Sequence, residues 1–120
     1  MLNLPELLPI YFCVQPTDMR KSFDSLVALV RDGLGHDPLS GHLFVFRSRR
    51  GDRVKLLWLD RDGLTLYYRR LEEGVFRFPT APDPETRSIE VSAQELSLVL
   101  WGIDPASVKR QPRYQRPKTT

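Results

Sequence analysis

The residues with the clearest chemical potential are five cations within nine positions in the middle of the chain. The segment 47–55 reads RSRRGDRVK and carries a single acid, Asp52. Guanidinium groups form paired hydrogen bonds with phosphate oxygens, so clustered arginines are typical of phosphate-binding surfaces. A solvated turn that is basic by chance is the alternative interpretation. The candidate phosphate-contacting residues are Arg47, Arg49, Arg50, Arg53 and Lys55.

The sequence on either side of these cations predicts a β-hairpin. Residues 42–47, HLFVFR, and residues 53–60, RVKLLWLD, have the aromatic and branched apolar composition of strands. The stretch between them contains Gly51, a residue suited to a short hairpin loop. A two-stranded ribbon fits the major groove of DNA. The pattern therefore predicts a basic hairpin arm whose loop contacts DNA.

A second basic element ends the chain. Residues 109–120 hold five basic residues and no acidic residue. Because such a composition cannot build a core, we expect residues 105–120 to be a flexible Pro/Arg-rich tail that adds diffuse attraction for DNA. Tyr114 lies among the arginines, where its ring can stack on a base. A tail that only aids solubility is the alternative. The candidate contacts in the tail are Arg110, Arg113 and Arg116.

The chain offers no positive case for catalysis. Asp60 and Asp62 are spaced to share a Mg²⁺ ion, but the sequence DRDG favours a tight turn for conformational reasons. Cys13, His36 and His42 match no zinc-ligand spacing. Nucleophile-elbow and phosphate-loop motifs are absent from the sequence. We therefore expect a protein that is not an enzyme and that needs no metal or cofactor.

The composition is that of one folded domain. The chain has 120 residues, a formal net charge of +3 and a sequence pI of about 9.3. We expect one globular domain at residues 1–104, followed by the tail. No apolar run approaches the ~18–20 residues that span a bilayer, and the first ten residues lack the basic start of a signal peptide. These features predict a cytoplasmic protein without membrane contact.

Periodicity predicts how the helices are placed. A first strand at residues 10–14 precedes a helix capped by Thr17 or Asp18. Near the C-terminus, Ser92 and Glu95 form a capping-box pattern for a short helix ending at Gly102. The first helix carries an apolar stripe at spacings of three and four, formed by Met19, Phe23, Leu26, Val27, Val30 and Leu34.

The remaining apolar runs predict a meander. Strands at 42–47, 53–60, 64–71 and 75–78 are separated by short turns, so neighbouring strands should be antiparallel, and 88–91 adds a short fifth strand. The runs LFVF and LLWL are apolar at every position, which predicts central strands covered on both faces. The expected fold is α+β: an antiparallel meander sheet of four or five strands, an N-terminal amphipathic helix and a short C-terminal helix. VFRF, at 75–78, would be an edge strand open to a second chain.

Three segments carry a family resemblance. Residues 16–30 (PTDMRKSFDSLVALV), residues 37–79 and residues 95–104 (ELSLVLWGID) resemble the small accessory protein of bacterial insertion-sequence-sixty-six transposable elements, often labelled TnpB and distinct from the RNA-guided nuclease of that label. The resemblance implies a separate, larger transposase that holds the catalytic carboxylates. No catalytic residue is carried over to this chain. Arg20 and Lys21 lie in the matching segments beside the hairpin cations, and we add them to the candidate DNA contacts because of their charge.

Two functions follow from these observations. The first is a non-catalytic accessory factor that assists DNA transposition by binding DNA, with the element's ends as candidate sites, through the basic hairpin and the tail. The second is an interaction module that docks on the transposase or on another accessory protein, with the cations facing an acidic patch of that partner and no direct DNA contact. The sequence leaves the oligomeric state open.

Overall fold

The computed structural model describes residues 9–101, which form a five-stranded sheet with helices on both faces. The α+β class is confirmed. The expected domain boundary at 104 and the tail lie outside the described residues. The elements are β1 (Ile10–Cys13), α1 (Phe23–Ala28) with a π-helical continuation (Leu29–Gly33), β2 (Leu43–Arg47), β3 (Arg53–Asp60), β4 (Gly63–Arg70), β5 (Ser88–Val91) and α2 (Ala93–Trp101).

The sheet is not the simple antiparallel meander that the sequence predicts. The strand order is β4-β3-β2-β1-β5, and only β2, β3 and β4 follow one another as antiparallel neighbours. β1 pairs with β2 in parallel, with Ile10 opposite Leu43. The connection between these two strands contains α1, and a helical crossover returns the chain in its original direction. β5 closes the far edge antiparallel to β1.

The predicted strand at residues 75–78 is wrong. This segment has no regular structure, and its aromatic side chains pack over the sheet. Phe76 is 3% exposed, and the ring of Phe78 stacks on that of Phe12 with 5.2 Å between the ring centroids. Burying these rings against the face stabilises the segment without a place at the edge. β4, not residues 75–78, is therefore the edge strand on this side of the sheet.

Both faces of the central strands are covered, as the runs LFVF and LLWL predict. All four residues from Leu43 to Phe46 are at most 1% exposed. Leu26 and Val30 of the first helical segment pack on one face, against the side chains Phe44, Phe46 and Leu57. α2 packs Leu96, Val99 and Leu100 on the other face, against Ile10, Phe12, Leu43, Val45, Val54, Leu56 and Trp58.

The first helix begins later than its predicted caps. Its N-cap is Ser22, whose amide donates to the hydroxyl of Ser25 at 2.9 Å. Thr17 and Asp18 lie before the helix, because the backbone of this stretch bonds to the sheet: the amide of Thr17 donates to the carbonyl of Arg47 at 2.8 Å. The capping prediction for this helix is therefore wrong.

A π-turn ends the first helix, and a capping box begins α2. The helix widens into a π-turn, with the amide of Leu34 bonded to the carbonyl of Leu29 at 3.0 Å. A Cβ at Gly33 would lie 2.8 Å from Cδ1 of Leu29, so any larger residue there would displace the leucine side chain. The predicted capping box of α2 is confirmed by reciprocal bonds of 3.0 and 3.1 Å between Ser92 and Glu95.

Candidate nucleic-acid interface

The two ends of the sheet carry opposite charge. β2 ends, β3 begins and β4 ends on the same side, and the chain after β1 returns there. We call this side the basic end and define it as residues 17–21, 47–55 and 69–73, which hold nine basic and four acidic residues. The acidic end comprises residues 36–42 and 60–63, which hold three aspartates and one arginine. The fold thus gathers cations that are separate in sequence.

The loop at the basic end, residues 48–52, is stabilised from within. The amide of Ser48 donates to the carbonyl of Arg53 at 3.0 Å. The hydroxyl of Ser48 accepts from the amide of Arg53 at 3.0 Å and donates to a carboxylate oxygen of Asp52 at 3.2 Å. Gly51 adopts φ of 80°, which favours glycine, and its amide donates to the carbonyl of Ser48 at 3.1 Å. The loop therefore has one defined backbone shape.

A second segment supports the same loop from outside. The amide of Leu71 donates to the carbonyl of Asp52, and the amide of Phe76 donates to the carbonyl of Gly51, both at 2.8 Å. These two bonds, with the central position of β2 and β3, mean that the hairpin is not the projecting arm expected from the sequence. It is a fixed part of the end of the sheet.

Arg49 and Arg50 are the two cations that this loop presents to solvent. Both are exposed, and neither makes a hydrogen bond or ion pair with another residue in the range 9–101. Their guanidinium groups therefore carry uncompensated charge on a well-supported backbone. Of the predicted contacts, these two have the geometry best suited to phosphate.

Arg53 is half-buried and already has partners. Its guanidinium lies 3.8 Å from the carboxylate of Asp52 and donates to the hydroxyl of Tyr68 at 3.4 Å. The hydrogen bond to Tyr68 raises the pKa of Arg53 above its usual value. Across the strands Arg53 stands directly opposite Arg70, which pairs with Glu72 at 3.1 Å.

Lys55 is buried, so the prediction from sequence that it contacts phosphate does not fit this structure. It is 5% exposed, and its ammonium donates to the carbonyls of Met19 and Lys21 at 2.7 and 2.6 Å. Its Nζ also lies 4.6 Å from the ring centroid of Tyr68. In this structure the ammonium is occupied in joining the stretch before α1 to the sheet, which leaves it no access to a phosphate.

Arg47 is also engaged within the protein. Its Nε donates to the carbonyl of Val14 at 3.0 Å, and its guanidinium carbon lies 6.0 Å from the ring centroid of Phe78.

The sequence contains a signal for the burial of Lys55, the more deeply buried of Arg47 and Lys55. Lys55 stands between Val54 and Leu56 in an apolar run, where a side chain of either face must be covered.

The remaining predicted contacts are Arg20 and Lys21, which lie before α1, and three arginines of the tail. Arg20 is exposed, but its guanidinium forms a paired contact with Asp18, with a shortest distance of 2.7 Å. The hydrogen bond from Arg20 holds the pKa of Asp18 well below its usual range. Lys21 is half-buried and directly precedes Ser22, the N-cap of α1. The tail candidates Arg110, Arg113 and Arg116 lie outside the described residues.

Residues of β4 add to this surface without having been chosen as contacts. Tyr68 is 48% exposed, next to Arg53 and Lys55. On the opposite face the guanidinium carbon of Arg69 lies 4.5 Å from the ring centroid of Trp101. The available signal was the alternation in LTLYYRR, which places Leu64, Leu66 and Tyr68 on one face of the sheet. Leu64 and Leu66 pack against the cluster formed with the first helix, and Tyr68 is exposed.

The residues considered for metal or thiol chemistry are dispersed. Within residues 9–101 no three His, Cys, Asp or Glu side chains are grouped to hold a metal ion. His36 stacks on Tyr11 with 4.1 Å between ring centroids. Burial raises the pKa of the Cys13 thiol. No helix of residues 9–101 combines the length and apolar character needed to cross a membrane.

Comparison with known proteins identifies the family. The family model described as IS66 Orf2 like protein matches residues 8–110. Two proteins of Sinorhizobium fredii (strain NBRC 101917 / NGR234) are similar. Uncharacterized protein y4jC is 40% identical over 105 residues, covering 88% of this chain and 87% of the relative. Uncharacterized protein y4hO is 39% identical over 104 residues, covering 87% and 88%. No solved structure matches significantly. The chain therefore belongs to the family of IS66 Orf2-like proteins.

Proposed function

We propose that this protein assists transposition of an IS66-type element by binding DNA at the basic end of its sheet, without catalysing a step itself. The family assignment suggests the accessory role. The observation that carries the DNA contact is the pair Arg49 and Arg50, exposed and without a carboxylate partner in residues 9–101, on a loop braced by hydrogen bonds.

The bracing favours binding for an entropic reason. A loop whose backbone is already fixed loses little conformational freedom when its side chains meet a ligand. Each phosphate that an arginine neutralises releases condensed counterions, so affinity should fall steeply as salt rises. Arg53 and Arg70 extend the positive surface across the basic end of β3 and β4. The tail cations Arg110, Arg113 and Arg116 would add attraction that is independent of DNA sequence.

Docking on the transposase or another accessory protein is the second candidate. It is supported by exposed apolar groups beside the cations, since Tyr68 is 48% and Val75 is 47% exposed. Aromatic and arginine side chains together are typical of protein interfaces. In that case the basic end would face an acidic patch on the partner, and co-purification with the transposase would persist after nuclease treatment.

The test is fluorescence anisotropy with duplex DNA from the element's terminal inverted repeat and with a scrambled duplex, at ~50 and ~200 mM salt. The variant Arg49→Ala/Arg50→Ala should bind at least about tenfold more weakly at the lower salt, and its affinity should depend less on salt.

Arg31→Ala/Arg61→Ala is the matched control, because it removes the same net charge from exposed side chains outside the basic end. It should change affinity by less than about twofold. Equal losses in the two double variants would mean that only net charge matters. Affinity unchanged in Arg49→Ala/Arg50→Ala would contradict the DNA-binding assignment of the loop.

A further inference from the structure

Tyr68 is an exposed aromatic residue that lies among cations. It lies near the end of β4, 48% exposed, whereas Phe44 and Phe46 on the same face are fully buried. Its strand neighbour on that face toward the basic end is Arg70, and its cross-strand partner is Lys55. An aromatic ring thus reaches solvent within a surface of cations, where the proposed function places the DNA backbone.

The ring of Tyr68 is held in place. Its hydroxyl accepts a hydrogen bond from Arg53 at 3.4 Å, and the ammonium of Lys55 lies 4.6 Å from the ring centroid. Lys55 is itself fixed by two backbone carbonyls. A ring that is already oriented gives up little rotamer freedom when a flat ligand stacks on it. A role in shielding Lys55 alone would not require the residue to stay 48% exposed to water.

Two arginines stand directly opposite each other beside this ring. Arg53 and Arg70 are paired across β3 and β4, with Cα atoms about 5 Å apart in such a register. Like charges in that position oppose sheet formation, and the carboxylates of Asp52, 3.8 Å from Arg53, and Glu72, 3.1 Å from Arg70, offset part of that repulsion from one side of each guanidinium. An anion bound between them would relieve the repulsion. A phosphate next to a stacked base satisfies both the guanidinium pair and the ring.

We infer that Tyr68 stacks on an unpaired base and that the basic end takes single-stranded DNA, with Arg53 and Arg70 on the adjoining phosphate. This inference rests on the proposed function. A duplex hides the faces of its bases within the stack, so an exposed ring meets a base face only where the strand is unpaired. Stacking of this kind depends little on base identity, because every base has an aromatic face.

The test separates the ring from the charges. Wild type, Tyr68→Leu and Tyr68→Phe are titrated against a single strand of ~20 thymidines, a duplex of equal length, and an oligonucleotide of equal length with abasic sites. The abasic strand keeps every phosphate and lacks the bases. Wild type should bind the thymidine strand about tenfold more tightly than the abasic strand.

Tyr68→Leu should lose that difference, with a larger loss of affinity for the thymidine strand than for the duplex, and Tyr68→Phe, which retains the ring, should keep the difference. Thermal unfolding checks that each variant is folded. If Tyr68→Leu does not fold, Tyr68→Thr takes its place, because a β-branched residue suits a strand, and the wild-type comparison still decides whether any base is contacted.

Three outcomes would overturn the inference. Wild type that binds the two single strands equally has no base contact. Tyr68→Leu that keeps the preference has its stacking residue elsewhere, and equal losses for all three probes would mean that the ring only positions Arg53. In each case the loss of duplex binding in Arg49→Ala/Arg50→Ala would still stand, so failure here is distinguishable from failure of the proposed function.

Discussion

The loop between β2 and β3 and the turn between β3 and β4 join the same central strand to its two neighbours, but different interactions hold them. The loop has five residues, Ser48 to Asp52, and bonds to residues 71–76 far along the chain. The turn has two residues, Arg61 and Asp62, between the paired residues Asp60 and Gly63. The first therefore depends on tertiary structure, and the second on local backbone geometry.

The difference distinguishes a turn that only connects two strands from a loop that also holds side chains at the surface. A two-residue turn is sufficient to reverse a strand, and the acidic end uses one. The longer loop at the basic end needs extra hydrogen bonds because five residues have more conformations to lose. Those bonds fix Arg49 and Arg50 outward at the surface. A loop that served only to connect strands would not need this support.

The largest effect should come from removing the interior support of the basic end. In Lys55→Met the carbonyls of Met19 and Lys21 lose a charged donor at 2.7 and 2.6 Å. Since hydrogen bonds to charged groups contribute about 1.5–3 kcal/mol each and some reorganisation is expected, we predict a loss of about 2–4 kcal/mol in the free energy of unfolding. Urea denaturation followed by tryptophan fluorescence measures it.

Lys21→Met is the matched control for that variant. It removes the same charge from a half-buried side chain that donates no hydrogen bond within residues 9–101. Its effect should stay within about 0.5 kcal/mol. Similar small losses in both variants would show that the two carbonyls find other donors and that Lys55 does not hold residues 17–21 to the sheet.

Lys55 also illustrates what sequence reasoning could reach. The apolar runs predict β2 and β3 and their burial on both faces, because no polar position interrupts them. Lys55, between Val54 and Leu56, is ambiguous in sequence: its neighbours suggest burial, its charge suggests a surface contact, and only the tertiary structure supplies the two carbonyls that occupy it. Exposed Arg49 and Arg50 lie outside the run, in the loop, where charge alone is a better guide.

The apolar pattern of the sequence could not predict that β1 runs parallel to β2. A short run such as IYFCV fits a parallel or an antiparallel neighbour equally well, and the crossover through α1 decides between them. Residues 75–78 fit the pattern of a strand, but their rings gain more by packing on the sheet face. The position of residues 17–21 beside the loop depends on that crossover, whereas residues 69–73 reach the loop through the antiparallel meander of β2, β3 and β4 that the sequence predicts, so only part of the basic end could be assembled from sequence alone.

A substitution in the longer loop should have an intermediate effect. In Gly51→Ala the new Cβ would lie 3.6 Å from Cβ of Val75, an ordinary contact, so the cost comes from the φ of 80°. We predict a loss of about 1–2 kcal/mol in unfolding free energy, measured by urea denaturation.

Gly63→Ala is the control in the other hairpin, because a Cβ added there would meet nothing within 4 Å and the φ of this glycine is not left-handed. That change should be neutral or raise stability by up to about 1 kcal/mol through the unfolded chain. If Gly51→Ala were as well tolerated as Gly63→Ala, the loop would have more than one backbone shape, and its supposed difference from the turn would disappear.

The smallest effect should come from the turn. Arg61 has φ of 60° without being glycine, so its backbone is strained. Arg61→Gly removes a cost of about 1–2 kcal/mol but adds conformational freedom to the unfolded chain, so a net gain of up to about 1 kcal/mol in unfolding free energy is expected. Thermal and urea unfolding measure the change.

Asp62→Gly is the control for Arg61→Gly, because Asp62 is the other residue of the turn and has an ordinary φ. It adds only the conformational freedom and should lose about 0.5–1 kcal/mol of stability. A gain in unfolding free energy for Arg61→Gly and a loss for Asp62→Gly would show that local backbone geometry governs the stability of the turn. A loss in both would mean that the side chain of Arg61 contributes more than its strain costs, and that the acidic end also depends on contacts beyond its own turn.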